Sequence, residues 1–74
     1  MILEKAFVKY DKNGNYDYTV QSDYMNFENE KEAREYVEKN IEKDYEFYFF
    51  ETQEDIEENN HYDVIICNDL IKEV

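Results

Sequence analysis

The segment that most constrains this chain is Asp11-Lys12-Asn13-Gly14-Asn15, which lies between two stretches of strand-forming residues. An Asn-Gly pair supplies the positive φ angles of a tight hairpin turn, and Gly14 is the only glycine in the sequence. Before the turn, Ile2 to Tyr10 is rich in β-branched and aromatic side chains. After it, Tyr16, Tyr18, Val20 and Tyr24 alternate with Asp17, Thr19, Gln21 and Asp23, the period-two pattern of a half-buried strand. The N-terminal third is therefore expected to form a β-hairpin.

A helix should follow. Asn29 with Glu32 three residues on has the spacing of a capping box, and Ala33, Tyr36, Val37 and Ile41 recur at helical spacing, which predicts a helix over residues 30–43. Tyr45 to Phe50 and Tyr62 to Cys67 read as third and fourth strands, both short and bounded by polar runs. Between them, Thr52 followed by Asp55 marks the start of a short helix over 53–59 whose one apolar residue is Ile56. Residues 69–74 either extend the fourth strand or form a terminal turn. No proline, linker, repeat or low-complexity segment divides the chain, so residues 1–74 are read as one domain. The expected class is α+β, ββαβ(α)β, with an antiparallel or mixed four-stranded sheet and one main helix on one face. Eight Tyr and five Phe supply the apolar area that such a highly charged chain needs to fold at all.

One helix leaves the second face of the sheet uncovered. Tyr16, Tyr18, Val20, Phe47, Phe49, Val64 and Ile66 are expected to point toward the helix. Asp17, Asp23, Glu46, Tyr48, Phe50, Asp63, Ile65, Cys67 and Asp69 are expected to point away. That second set mixes rings and aliphatic groups with carboxylates, as a partner surface or a dimer interface would.

The formal net charge is −12, which excludes binding to DNA or RNA through phosphates and docking on anionic lipid, both of which need a basic patch. The excess is uneven. Residues 1–43 carry 10 acidic and 7 basic side chains, whereas residues 44–71 carry 9 acidic side chains and no Lys or Arg. On the main helix Glu30 and Arg34, and Glu35 and Lys39, stand at the favourable i,i+4 spacing. In the acidic span no such local neutralisation exists, and Glu51, Glu54, Asp55, Glu57 and Glu58 fall within eight residues. On a short helix their carboxylates would lie roughly 5–10 Å apart, comparable to phosphates along a nucleic-acid strand. The plainer reading is that these acids complement a helix dipole and confer solubility.

No chemistry-bearing constellation stands out. Glu58-Asn59-Asn60-His61 has the Glu-x-x-His spacing of di-iron bundles but occurs once, in a chain too short for the bundle, so no metal site is expected at Glu54, Glu58 and His61. No calcium-loop or phosphate-loop pattern is present. Cys67 with His61 as base is disfavoured, because an acidic setting opposes the thiolate. The chain is expected to be no enzyme and to need no cofactor or metal. Apolar runs are too short for a membrane span or signal peptide, and one cysteine fits a reducing compartment, so a cytoplasmic location is expected.

In length, aromatic content and an acidic stretch from Asp44 to Asp69 empty of Lys and Arg, the chain resembles small phage-encoded inhibitors that imitate nucleic acid, the anti-restriction and anti-CRISPR class. The resemblance implies a stoichiometric inhibitor that docks in the basic groove of a nuclease or CRISPR effector, in the bacterial host cell. Its docking residues are expected to be Glu46, Tyr48, Phe50, Glu51, Glu54, Asp55, Glu57, Glu58, Asp63 and Asp69. The alternative is a non-enzymatic interaction module that uses the open aromatic sheet face, as a homodimer or with another protein.

Overall fold

A computed structural model describes residues 1–71 of the chain. Strands β1 (Ile2–Tyr10), β2 (Tyr16–Asn26), β3 (Tyr45–Phe50) and β4 (Asp63–Ile66) form one antiparallel sheet in the order β2-β1-β3-β4. Helix α1 (Glu30–Lys39) packs on one side, and two short helices, α2 (Gln53–Glu57) and α3 (Cys67–Leu70), precede and follow β4. The expected α+β class and element order are found. No helix among the described residues is long and apolar enough to cross a membrane.

Local chemistry explains the boundaries. In the hairpin turn only Gly14 takes a positive φ, 82°. Asp11 organises the rest: its Oδ1 accepts from the backbone N–H of Asn13 and Asn15 at 2.9 and 3.0 Å, and its carbonyl accepts from Gly14 at 3.0 Å. The connection is thus a five-residue loop opened by an Asx turn, with Gly14 in the left-handed position, instead of a two-residue Asn-Gly turn. Helix α1 begins where Asn29 Oδ1 accepts from the Glu32 N–H at 2.9 Å. It ends at Lys39, before the expected residue 43, because Asn40 leaves helical geometry and donates from its side chain to the Tyr36 carbonyl at 2.7 Å. Helix α2 carries the full Thr52–Asp55 capping box. It stops at Glu57 because Asn59 takes a φ of 54° while the N–H groups of Asn59 and Asn60 return to the carbonyls of Ile56 and Asp55, a Schellman closure.

Leu3, Ala33, Val37, Phe47, Phe49 and Cys67 form the core between sheet and helix, each no more than 1% exposed. Ala33 and Val37 lie one helical turn apart on the buried stripe of α1, and Tyr36 and Ile41 pack beside them. Each large side chain buried there contributes about 1.5–3 kcal/mol relative to exposure.

The strand faces correct the expected pattern at four places. Register slips between Lys5 and Ala6 and between Lys9 and Tyr10 divide β2 into segments of opposite parity. Tyr18 and Val20 pair with Lys9 and Phe7 on the helix side, as expected, but Tyr16 pairs with Tyr10 on the other side and Asp23 pairs with Lys5 on the helix side. In β4 the phase is reversed: Val64 and Ile66 pair with Tyr48 and Glu46 away from the helix, while Ile65 packs against the core and Asp63 pairs with Phe49. Cys67 was expected away from the helix and instead sits in the core at the start of α3. A continuous apolar run such as Val64-Ile65-Ile66 carries no period; here Ile65 is the member that packs against the core, with Asp63 bonded to Arg34 on the same side.

Candidate functional site

The side of the sheet opposite α1 is built from cross-strand rows. Tyr24, Glu4, Tyr48 and Val64 form one row across all four strands; Gln21, Ala6, Glu46 and Ile66 form the next. Although α1 lies on the other side, Ile2, Ala6, Val8 and Phe50 are buried here as well. Ala6 in the middle is small enough for its larger neighbours to close over it. His61, arriving from the α2–β4 connection, sets its ring edge-on to Tyr48 at 4.9 Å and to Phe50 at 6.1 Å. Tyr16, Tyr24, Val64 and Ile66 remain exposed around this floor.

The carboxylates on this side are held by phenols. Glu46, 7% exposed, accepts a hydrogen bond from the Tyr48 hydroxyl. Burial and the adjoining Glu46 carboxylate push the Tyr48 phenol far above its ordinary pKa. Glu4 lies opposite both Tyr24 and Tyr48, and burial together with Glu4 raises Tyr24 in turn. At the far end of the sheet Tyr10 donates to Asp44 Oδ1 at 2.9 Å, and the Asn68 amide donates to the same oxygen at 3.2 Å. Asn68 also accepts from the Asp44 N–H at 2.9 Å, which fixes Asp44 at a φ of 69°. Asn68 and then Tyr10 hold the Asp44 carboxyl below its usual range.

The helix side handles its acids with cations. Arg34 bonds Asp63 Oδ2 at 2.6 Å, reaches Glu30 at 3.3 Å as the i,i+4 spacing required, and lies 4.7 Å over the Phe49 ring. Lys5 meets Glu42 at 3.4 Å and the Tyr45 ring at 4.3 Å; Lys9 lies over Phe7 at 4.7 Å. Arg34 above all, then the Val64 N–H, depresses Asp63. Glu30 is lowered by Tyr62, which donates to it at 2.8 Å, and by Arg34; Tyr62 itself is pushed up to about 12 by burial and by Glu30. The described cations therefore sit at the helix side, as Lys5, Lys9, Lys31, Arg34 and Lys39, or in loops, as Lys12 and Lys43. None lies on the strands of the opposite face.

The ten expected docking residues do not share one surface. Glu46 and Tyr48 are on the helix-free side, but Phe50, also there, is only 2% exposed and serves as floor, so it offers no docking surface. Asp63 lies on the opposite side and is bonded to Arg34, which corrects its expected direction. The Asp55 carboxylate is occupied by the capping box, accepting from the Thr52 N–H at 3.2 Å and its hydroxyl at 3.0 Å. Glu51, Glu54, Glu57 and Glu58 are exposed along the β3–β4 connection, and Asp69 is exposed on α3. Cys67 and His61 are on opposite sides of the sheet, so they form no catalytic pair. Among the described residues no group of three or more His, Cys, Asp or Glu is placed to hold a metal ion.

Sequence reasoning missed Glu4, Tyr24, Val64 and Ile66 as members of this face. Their meeting depends on β1 lying between β2 and β3, which no local pattern encodes. No protein-family model matches the chain, and neither a curated protein nor a solved structure matches it.

Proposed function

We propose that this protein is a stoichiometric inhibitor that presents an acidic surface to the basic groove of a nucleic-acid-binding protein, a nuclease or CRISPR effector, and so excludes DNA or RNA. The observation that carries the reading is the sorting of charge: one side of the sheet holds Glu4 and Glu46 among exposed rings and aliphatic groups, without a Lys or Arg on its strands. Glu4 and Glu46 are diagonal neighbours on adjacent strands, roughly 7–8 Å apart. Glu51, Glu54, Glu57 and Glu58 extend the negative potential beyond the sheet end. Opposite charge would steer association and make it fast and salt-sensitive.

The test is capture from a bacterial lysate on immobilised protein, repeated with excess duplex DNA and at high salt. Retention of a nucleic-acid-binding protein that DNA displaces supports the reading. Retention unaffected by DNA, or of proteins without nucleic-acid affinity, overturns it. A variant with Glu51, Glu54, Glu57 and Glu58 changed to Gln should bind more slowly while keeping its fold, since none of these side chains is buried.

The second reading, a protein-interaction module that pairs with itself through this face, is favoured by the exposure of Tyr24, Val64 and Ile66 beside the buried floor. It is opposed by the −12 charge that each copy would bring. Sedimentation at low and high salt separates the two: a dimer at both would favour self-pairing.

A further inference from the structure

We propose, resting on the reading of the protein as a ligand for a basic protein surface, that the contact is made by the helix-free sheet face and that this face selects arginine over lysine. The chain already contains the arrangement in question. On the helix side, the Arg34 guanidinium lies over a sheet aromatic, Phe49, at 4.7 Å and bonds the neighbouring strand's carboxylate, Asp63, at 2.6 Å. On the other side the same two ingredients recur without a cation among the described residues: the Tyr24 ring, still 37% exposed, stands opposite the partly exposed Glu4 in the middle of the sheet.

Charge complementarity names the occupant. A second copy would bring the same carboxylates, whereas a cationic protein surface would neutralise them. Arginine fits better than lysine for a physical reason. A guanidinium is planar and weakly hydrated, so it can stack on a phenol ring while its N–H groups reach a carboxylate; an ammonium is a strongly hydrated point charge that gains less from the ring. Tyr48, which spends its hydroxyl on Glu46, keeps that buried carboxylate in place, so the partly exposed Glu4, beside the Tyr24 phenol, is the carboxylate an incoming group can reach. Helix α2, which carries Glu54, Asp55 and Glu57, has one apolar residue, Ile56, and no ring. The part of these acids is long-range attraction.

The experiment uses the full chain, isotopically labelled, titrated with nona-arginine and nona-lysine peptides at physiological salt and followed by amide NMR shifts. The expected result is shifts centred on Glu4, Tyr24, Tyr48 and Val64, with the arginine peptide bound at least about fivefold more tightly. Tyr24→Ala should remove that preference while the spectrum stays that of the folded protein, because the side chain lies on an exposed strand. Equal binding of the two peptides, or shifts confined to residues 51–58, overturns the assignment of the face and leaves the inhibitor reading standing. Binding of neither peptide at millimolar concentration removes both. If Tyr24→Ala unfolds the chain, Tyr24→Leu, which keeps an apolar side chain without the ring, should make the two peptides bind equally, and an arginine preference that survives it overturns the assignment.

Discussion

The two sides of the sheet solve one problem differently. Both bury apolar residues and both carry carboxylates close to them. On the helix side the acids are met by Arg34 and Lys5, with α1 supplying the cover. On the other side the cover is the residues' own neighbours and one His61 ring, and the acids are met by Tyr48 and Tyr10 hydroxyls. A cation cancels a charge, whereas a phenol only solvates it. The helix-free side therefore keeps its negative potential while remaining structurally satisfied, and no buried side-chain polar atom among the described residues lacks a partner.

Truncating the floor on each side should have the largest effect. Phe47→Ala, under α1, should cost about 3–5 kcal/mol in urea unfolding, enough to unfold much of a domain this small. Phe50→Ala should cost nearly as much if the uncovered side is a second packed layer; a loss under about 1 kcal/mol would show that this floor is open to water.

Next in size is the phenol. Tyr48→Phe leaves the buried Glu46 carboxylate without its donor and should cost about 1–3 kcal/mol near neutral pH. Because the folded-state pKa of Tyr48 is raised, its contribution is complete below the ordinary phenol value of 10.0 and is lost as pH rises above it through the folded value. Wild type and Tyr48→Phe should thus converge in alkaline urea titrations; a constant gap up to pH 12 would refute the phenol's role.

The cation should matter less. Arg34→Met removes two ion pairs, to Asp63 and Glu30, that are partly open to solvent, with an expected loss of about 1 kcal/mol. Asp63 is depressed, so its share is present above the ordinary value of 3.8 and disappears as pH falls below it through the folded value. The variant and wild type should unfold alike in acid, and a gap that persists below pH 2 would argue that Arg34 acts by packing alone. Smallest of all is the effect of salt: raising NaCl from about 20 to 300 mM should lift the melting temperature slightly by screening the net −12. A fall would mean that the attractive pairs of the helix side outweigh the repulsion.

Elements announced by local chemistry were legible in the sequence. Asp11 to Gly14, Asn29 with Glu32, and Thr52 with Asp55 each mark a turn or a helix start that depends on a few adjacent residues. What could not be read was parity. Tyr16 and Tyr24 belong to one side and Tyr18 and Val20 to the other, because two slips in pairing with β1 intervene, and a slip is a property of two strands. The site suffered for the same reason. Phe50 read as an exposed anchor because its fate depends on Ile2, which it faces across β1, and on His61 stacking from a distant loop. Asp63 read as unneutralised because its partner, Arg34, lies on a separate element.

Those same slips have a bearing on how the chain behaves in a crowded solution. Strand β2 is a sheet edge of 11 residues with tyrosines along it, the kind of template on which fibrils seed. Its pairing with β1 runs without interruption for only four residue pairs at a time, Ile2–Lys5 and then Ala6–Lys9, before each offset. An incoming copy would need a regular ladder of about six or seven residues to stack as a dry zipper, and the kinked edge offers none of that length. The irregular hairpin thus works as a guard against amyloid growth, in a chain whose long outer strand would otherwise invite it.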